Sequence, residues 1–176
     1  MQLCKAILII TYVMGMSVSL LLTKPAVAQQ DENAVKAAFI YNFINFVEWP
    51  KKIHSKNSST ILCVVGDDAP VVGYLAELSK KAKVTLTSKG RDASLTNCHM
   101  VYIGKMGKAD IDYMIGKTKN MPILTVSAVK DFAKKGGHIG FVIEEGQVKL
   151  ESNLKSLEGA GLRVDSELLE LMTIYQ

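Results

Sequence analysis

Apolar and polar positions follow two different rhythms along this chain. Between residues 35 and 47, Val35, Phe39, Ile40, Phe43, Ile44, Phe46 and Val47 fall on one wide arc at about 100° per residue. Tyr41, Asn42, Asn45 and Glu48 share the opposite side. The spacing predicts a helix started by Asp31, Glu32 or Asn33 and closed near Pro50, Lys51 and Lys52. Three of the five Phe and the single Trp lie in this segment. So wide an arc predicts one edge on the core and a second against another surface, such as a homodimer face built from Phe39, Phe43, Phe46 and Trp49.

Downstream, short continuous apolar runs take over. Ile61–Gly66, His99–Gly104 and Pro122–Val126 read as strands buried on both faces, and Lys83–Ser88 as another strand. Helices are expected over Val71–Lys81, Ala109–Lys117 and Ser127–Lys135, the last stopped by Gly136-Gly137. Alternating strands and helices in such units predict right-handed crossovers and a mainly parallel sheet. From His138 the pattern alternates instead, and Glu145-Gly146 joins His138–Glu144 to Gln147–Glu151 as an antiparallel edge hairpin. Short helices follow at Leu154–Gly159, capped by Asn153, and at Ser166–Met172, with Leu168, Leu169 and Met172 facing inward. The expected fold class is α/β: one three-layer-like domain, mainly parallel, with helices flanking the sheet.

The first residues stand outside this domain. Lys5, the apolar run Ala6–Leu22 and Ala26-Val27-Ala28 have the layout of a secretory signal peptide, so 1–28 is read as a leader and 29–176 as the exported domain. In a bacterial-type cell the destination is the periplasm. Lys5 and Lys24 leave with the leader, and the formal charge falls from +4 to +2. That excess is too small to argue for nucleic acid. Cys4 leaves too, and in an oxidising compartment Cys63 and Cys98 allow one bridge, the other reading being two buried free thiols.

Candidate chemistry is sparse. Gly66-Asp67-Asp68 after a strand suggests a nucleotide turn or a phospho-receiver, but no phosphate-loop pattern follows. A receiver also needs an Asp after the central strand, where this chain has Ile103-Gly104-Lys105. His54, His99 and His138 are scattered and lack metal-ligand spacing, so neither a metal nor any other cofactor is expected. No nucleophile elbow is present, and the chain is read as a non-enzyme. The better lead is apolar: Phe141, Ile143, Val148, Leu150, Leu154, Leu162 and Val164 gather near the hairpin, interspersed with Glu151, Asn153 and Arg163. Anchors rimmed by fixed charges suit protein binding, and the same residues also suit the core under the last helix.

Five ordered strings carry a family resemblance: K-A-A-F-I-Y-N-F-I-N-F-V-E-W-P, I-L-C-V-V-G-D-D, C-H-M-V-Y-I-G, the long L-T-V-S to L-E-S-N-L stretch, and A-G-L-R-V-D-S-E-L-L-E-L. Over Val35 to Leu171 the chain resembles the YfiR family. The resemblance implies a non-enzymatic periplasmic repressor that binds the periplasmic sensor domain of an inner-membrane diguanylate cyclase. It further implies homodimers, and release linked to redox state and to an outer-membrane lipoprotein. Cys63 and Cys98 match the positions bridged in the family; a second cysteine pair found in some relatives is missing here. Phe141, Leu150, Glu151, Asn153, Leu154, Leu162 and Arg163 form the expected partner surface, with Leu150 replacing an aromatic of relatives. A different class of function, a periplasmic small-ligand binder reporting to another membrane sensor such as a histidine kinase, remains the competing expectation.

Overall fold

A computed structural model describes residues 31–50, 59–80 and 84–176. The expected leader and most of the polar stretch after Lys52, His54 included, lie outside the described residues.

The aromatic segment forms α1, Glu32–Phe46, and Asp31 caps it by accepting from the amides of Asn33 and Ala34 at 2.9 and 3.4 Å. The Tyr74 hydroxyl donates to the other Asp31 oxygen, and these bonds hold that carboxyl below the ordinary range. The helix stops before Pro50 because Val47–Glu48 becomes a two-residue strand, β1. Then follow β2 (Thr60–Val65), α2 (Ala69–Ser79), β3 (Val84–Ser88), β4 (Met100–Ile103), α3 (Lys108–Thr118) and β5 (Leu124–Ser127). The chain closes with β6 (Ile139–Glu144), β7 (Gln147–Asn153), α4 (Leu154–Gly159), β8 (Arg163–Val164), α5 (Ser166–Leu169) and β9 (Met172–Tyr175).

Seven strands lie in the order β3-β2-β4-β5-β6-β7-β9, parallel throughout except between β6 and β7, with β1 and β8 forming a separate antiparallel pair. The mainly parallel α/β sheet with its antiparallel hairpin is therefore present. Glu145 and Gly146 both have positive φ, as a two-residue type I′ hairpin turn requires.

Strand alternation sorts the apolar side chains into two cores. Leu62, Val64, Met100, Tyr102, Leu124 and Phe141 face α1, α2, α4 and α5. Cys63, Val65, Val101 and Ile103 face α3 and Phe132 on the other side. Helices on both faces make three layers. Within the second core Cys63 and Cys98 are joined by a disulfide, Cα–Cα 5.8 Å, which settles the choice left open by the sequence.

Three expectations need correction. Residues 130–136 form successive turns instead of a helix, because Asp131 adopts φ +60° and Ser127 is spent on the Ile103 carbonyl and the Val129 amide. The last helix ends at Leu169, and Met172 opens β9 with no inward helical position. Consequently β9, paired in parallel with β7, holds the sheet edge that the hairpin was expected to occupy.

Candidate functional site

The expected partner surface does not survive as one patch. Phe141 pairs with Leu150 across the hairpin, and its ring stacks on Phe43 at 6.3 Å. Both residues, and Leu162, are at most 3 % exposed. These three belong to the core, where no partner reaches them in this fold. Glu151 points to the other face, where the Tyr175 hydroxyl donates to its Oε1 at 2.7 Å and the Lys134 ammonium sits 5.2 Å from the Tyr175 ring centre. It anchors β9, so charge reversal there disturbs the fold as well as any surface. Asn153 is likewise structural: its Oδ1 accepts from the Ser156 amide and its Nδ2 donates to the Ala133 carbonyl, both at 2.9 Å. Of the expected set, half-buried Leu154 and exposed Arg163 remain available.

The expected homodimer face divides in the same way. Phe43 and Trp49 are buried, and the Trp49 indole donates to the His99 carbonyl at 3.1 Å. Phe39 and Phe46 are half-buried along a groove of about 250 Å³ beside Leu171, which is 64 % exposed. The arc is real, but its centre is the core and only its margins reach solvent.

Arg163 belongs to a better-formed surface. The turn at Gly161, with φ +70°, leads from α4 into β8, and β8 pairs with β1 so that Arg163 stands opposite Glu48. Between α4, β8 and α5 lies a groove of about 650 Å³, walled by Leu154, Val164 and Leu169 with Glu158 and Arg163 as its charges. Glu48 was not legible as a neighbour of Arg163; a two-residue strand pair sets it there, and no periodicity announces it.

The other candidate chemistry resolves into structure. In this doubly wound order the usual ligand crevice lies where the chain reverses, between the carboxyl ends of β2 and β4. Here backbone bonds between Asp67 and Lys105 (3.1 and 2.8 Å) bridge those ends, and Gly104 packs so close that a Cβ would lie 2.9 Å from the Asp67 backbone. Asp68 accepts from the buried Tyr102 hydroxyl, whose pKa burial raises. Nδ1 of His99 accepts from the Ile61 amide and Nδ1 of His138 from the Thr125 amide (2.9 and 3.1 Å). Burial lowers the His138 pKa to about 4, against the opposing pull of the Ser156 and Ile123 backbone. Among the described residues no three His, Cys, Asp or Glu side chains are grouped to hold a metal ion.

A family model described as YfiR/HmsC-like matches residues 33–173. The chain belongs to the YfiR/HmsC-like family. Membership points to a periplasmic regulator of cyclic-di-GMP signalling. No curated protein matches the chain. Among solved structures, the chain is similar to a conserved domain protein from Vibrio cholerae O1 biovar El Tor strain N16961, with TM-score 0.57 and 12 % identity over 82 % of this chain. The chain spans 60 % of that protein, and the likeness concerns the fold. No helix among the described residues is long and apolar enough to cross a membrane.

Proposed function

We propose that this family member represses an inner-membrane diguanylate cyclase by gripping its periplasmic sensor domain, lowering cyclic-di-GMP output and biofilm formation. The observation that carries the reading is the α4–β8–α5 groove, where apolar walls and two opposite charges stand together on the surface. An apolar anchor held between a basic and an acidic group is selected by both shape and charge, and so is register. Repression then follows from differential affinity: the protein binds the inactive sensor conformation better and shifts the cyclase population toward it. Export with cleavage after Ala28, pairing of two copies along Phe39, Phe46 and Leu171, and sequestration by an outer-membrane lipoprotein belong to the same reading.

Arg163 is the residue to test, because it is exposed and its reversal leaves the core untouched. Cells carrying Arg163→Glu in place of the parent chain should show raised cyclic-di-GMP, consistent with at least about a tenfold loss of affinity, or 1.4 kcal/mol. The purified variant should stay folded with a midpoint only slightly below the parent's, because the new carboxylate faces Glu48 on an exposed two-residue strand pair. Parent-level repression by a folded Arg163→Glu protein rejects this groove as the contact.

A further inference from the structure

A second cleft, of about 590 Å³, lies where the end of α3, the turn before β6 and the start of α4 meet. It shares no residue with the Arg163 groove. Lys119, Lys135 and Lys155 reach it from those three elements, and all three are exposed. The ion pairs among the described residues use Lys80, Arg91 and Lys134 and leave these lysines out. Asp112 is the acidic side chain in the lining and Gln176, the last residue, brings a terminal carboxylate, so three lysines share the lining with two negative groups.

The polar groups in the floor are already committed. Thr118 Oγ1 donates to the Met114 carbonyl at 2.8 Å, both ends of the Asn153 amide are used, and His138 binds backbone. That floor is fixed in place by its own bonds, while the lysines, the Asn120 amide and the Ser156 hydroxyl line the cleft above it. Lysines placed around a concave wall focus a positive field on whatever occupies the space. The volume is that of a small-molecule site.

We propose that this cleft binds a compact small-molecule polyanion bearing phosphate or carboxylate groups, through Lys119, Lys135 and Lys155. A small molecule with two or more negative charges bridges lysines that stand on three separate elements; a singly charged ion engages one of them at a time. The site does not rest on the repressor reading.

Thermal unfolding and calorimetry of the exported domain, with inorganic pyrophosphate and with citrate as probes, test it. Chloride at matched ionic strength is the control. A saturable rise in Tm with at least one probe is expected, and which probe acts separates the phosphate source from the carboxylate source. The triple variant Lys119→Gln/Lys135→Gln/Lys155→Gln should keep the parent midpoint without probe and weaken binding by at least about tenfold. Lys149→Gln, on the distant hairpin, and Arg163→Glu should bind as the parent does. Absence of a saturable shift beyond chloride, or an equal shift in the triple variant, overturns the site and leaves the Arg163 groove untouched.

Discussion

Reducing the Cys63–Cys98 bridge isolates one term of the protein's stability. The two sulfurs join β2 to the residue just before His99 and close a loop with a sequence separation of 35. In the chain-entropy account, releasing a loop of that length returns about 4 kcal/mol of conformational freedom to the unfolded state. For a domain of this size that corresponds to a drop in Tm of roughly 8–16 °C. The sequence is unchanged by the perturbation, so no side chain is lost, and the groups added are two buried thiols. Urea unfolding with and without reductant is the assay, after mass spectrometry confirms the thiol state of each sample. The midpoint should fall and the m-value should rise, since the reduced unfolded chain exposes more surface. Because Cys63 and Cys98 are both buried, reduction of the folded protein should also be slow, and should accelerate in mild denaturant. A stability difference below about 1 kcal/mol, or two free thiols in untreated protein purified without reductant, refutes the reasoning.

Three further outcomes follow from the packing. His138 is kept neutral by burial with a pKa of about 4, so the unfolded state binds the extra proton; stability should fall by about 3 kcal/mol as pH drops from 6.5 to 4, and His138→Asn should flatten that slope in pH-dependent unfolding. Gly104→Ala forces a methyl against the Asp67 backbone and should cost about 1–3 kcal/mol; a loss within about 0.5 kcal/mol in urea unfolding counts against the closed β2–β4 crevice. Phe43→Ala should destabilise the monomer by about 3–5 kcal/mol, whereas half-buried Phe46→Ala should cost much less; if instead Phe43→Ala alters only the oligomeric state in sedimentation, the core placement of Phe43 is wrong.

The sheet was legible because its strands carry their own signal. Ile61–Val65 and Val101–Ile103 are apolar on both faces, as strands covered by helices must be, and Glu145-Gly146 announces its turn by residue type. Asn153 likewise marked the start of α4 correctly, since a cap is a local hydrogen bond. What was not legible depends on distant neighbours. Leu168 and Met172 have helical spacing, yet Met172-Thr173-Ile174-Tyr175 also suits a strand, and pairing with β7 decides the matter. Nothing local to Ser127–Lys135 shows that Asp131 takes a left-handed conformation. The candidate surface suffered most. Apolar residues near the hairpin are equally expected in a core and in a binding patch, and only the packing of Phe141 on Phe43 separates the two. The opposition of Arg163 to Glu48, between residues more than a hundred positions apart in the chain, leaves no periodic trace at all.

Co-purification of the chain with the proposed membrane partner tests the central claim most directly. Affinity capture of the full-length protein after in-cell crosslinking should recover an inner-membrane diguanylate cyclase through its periplasmic domain, and Arg163→Glu should abolish that recovery. Recovery of the chain from the periplasm with no diguanylate cyclase attached, under conditions where the cyclase is present, contradicts the account.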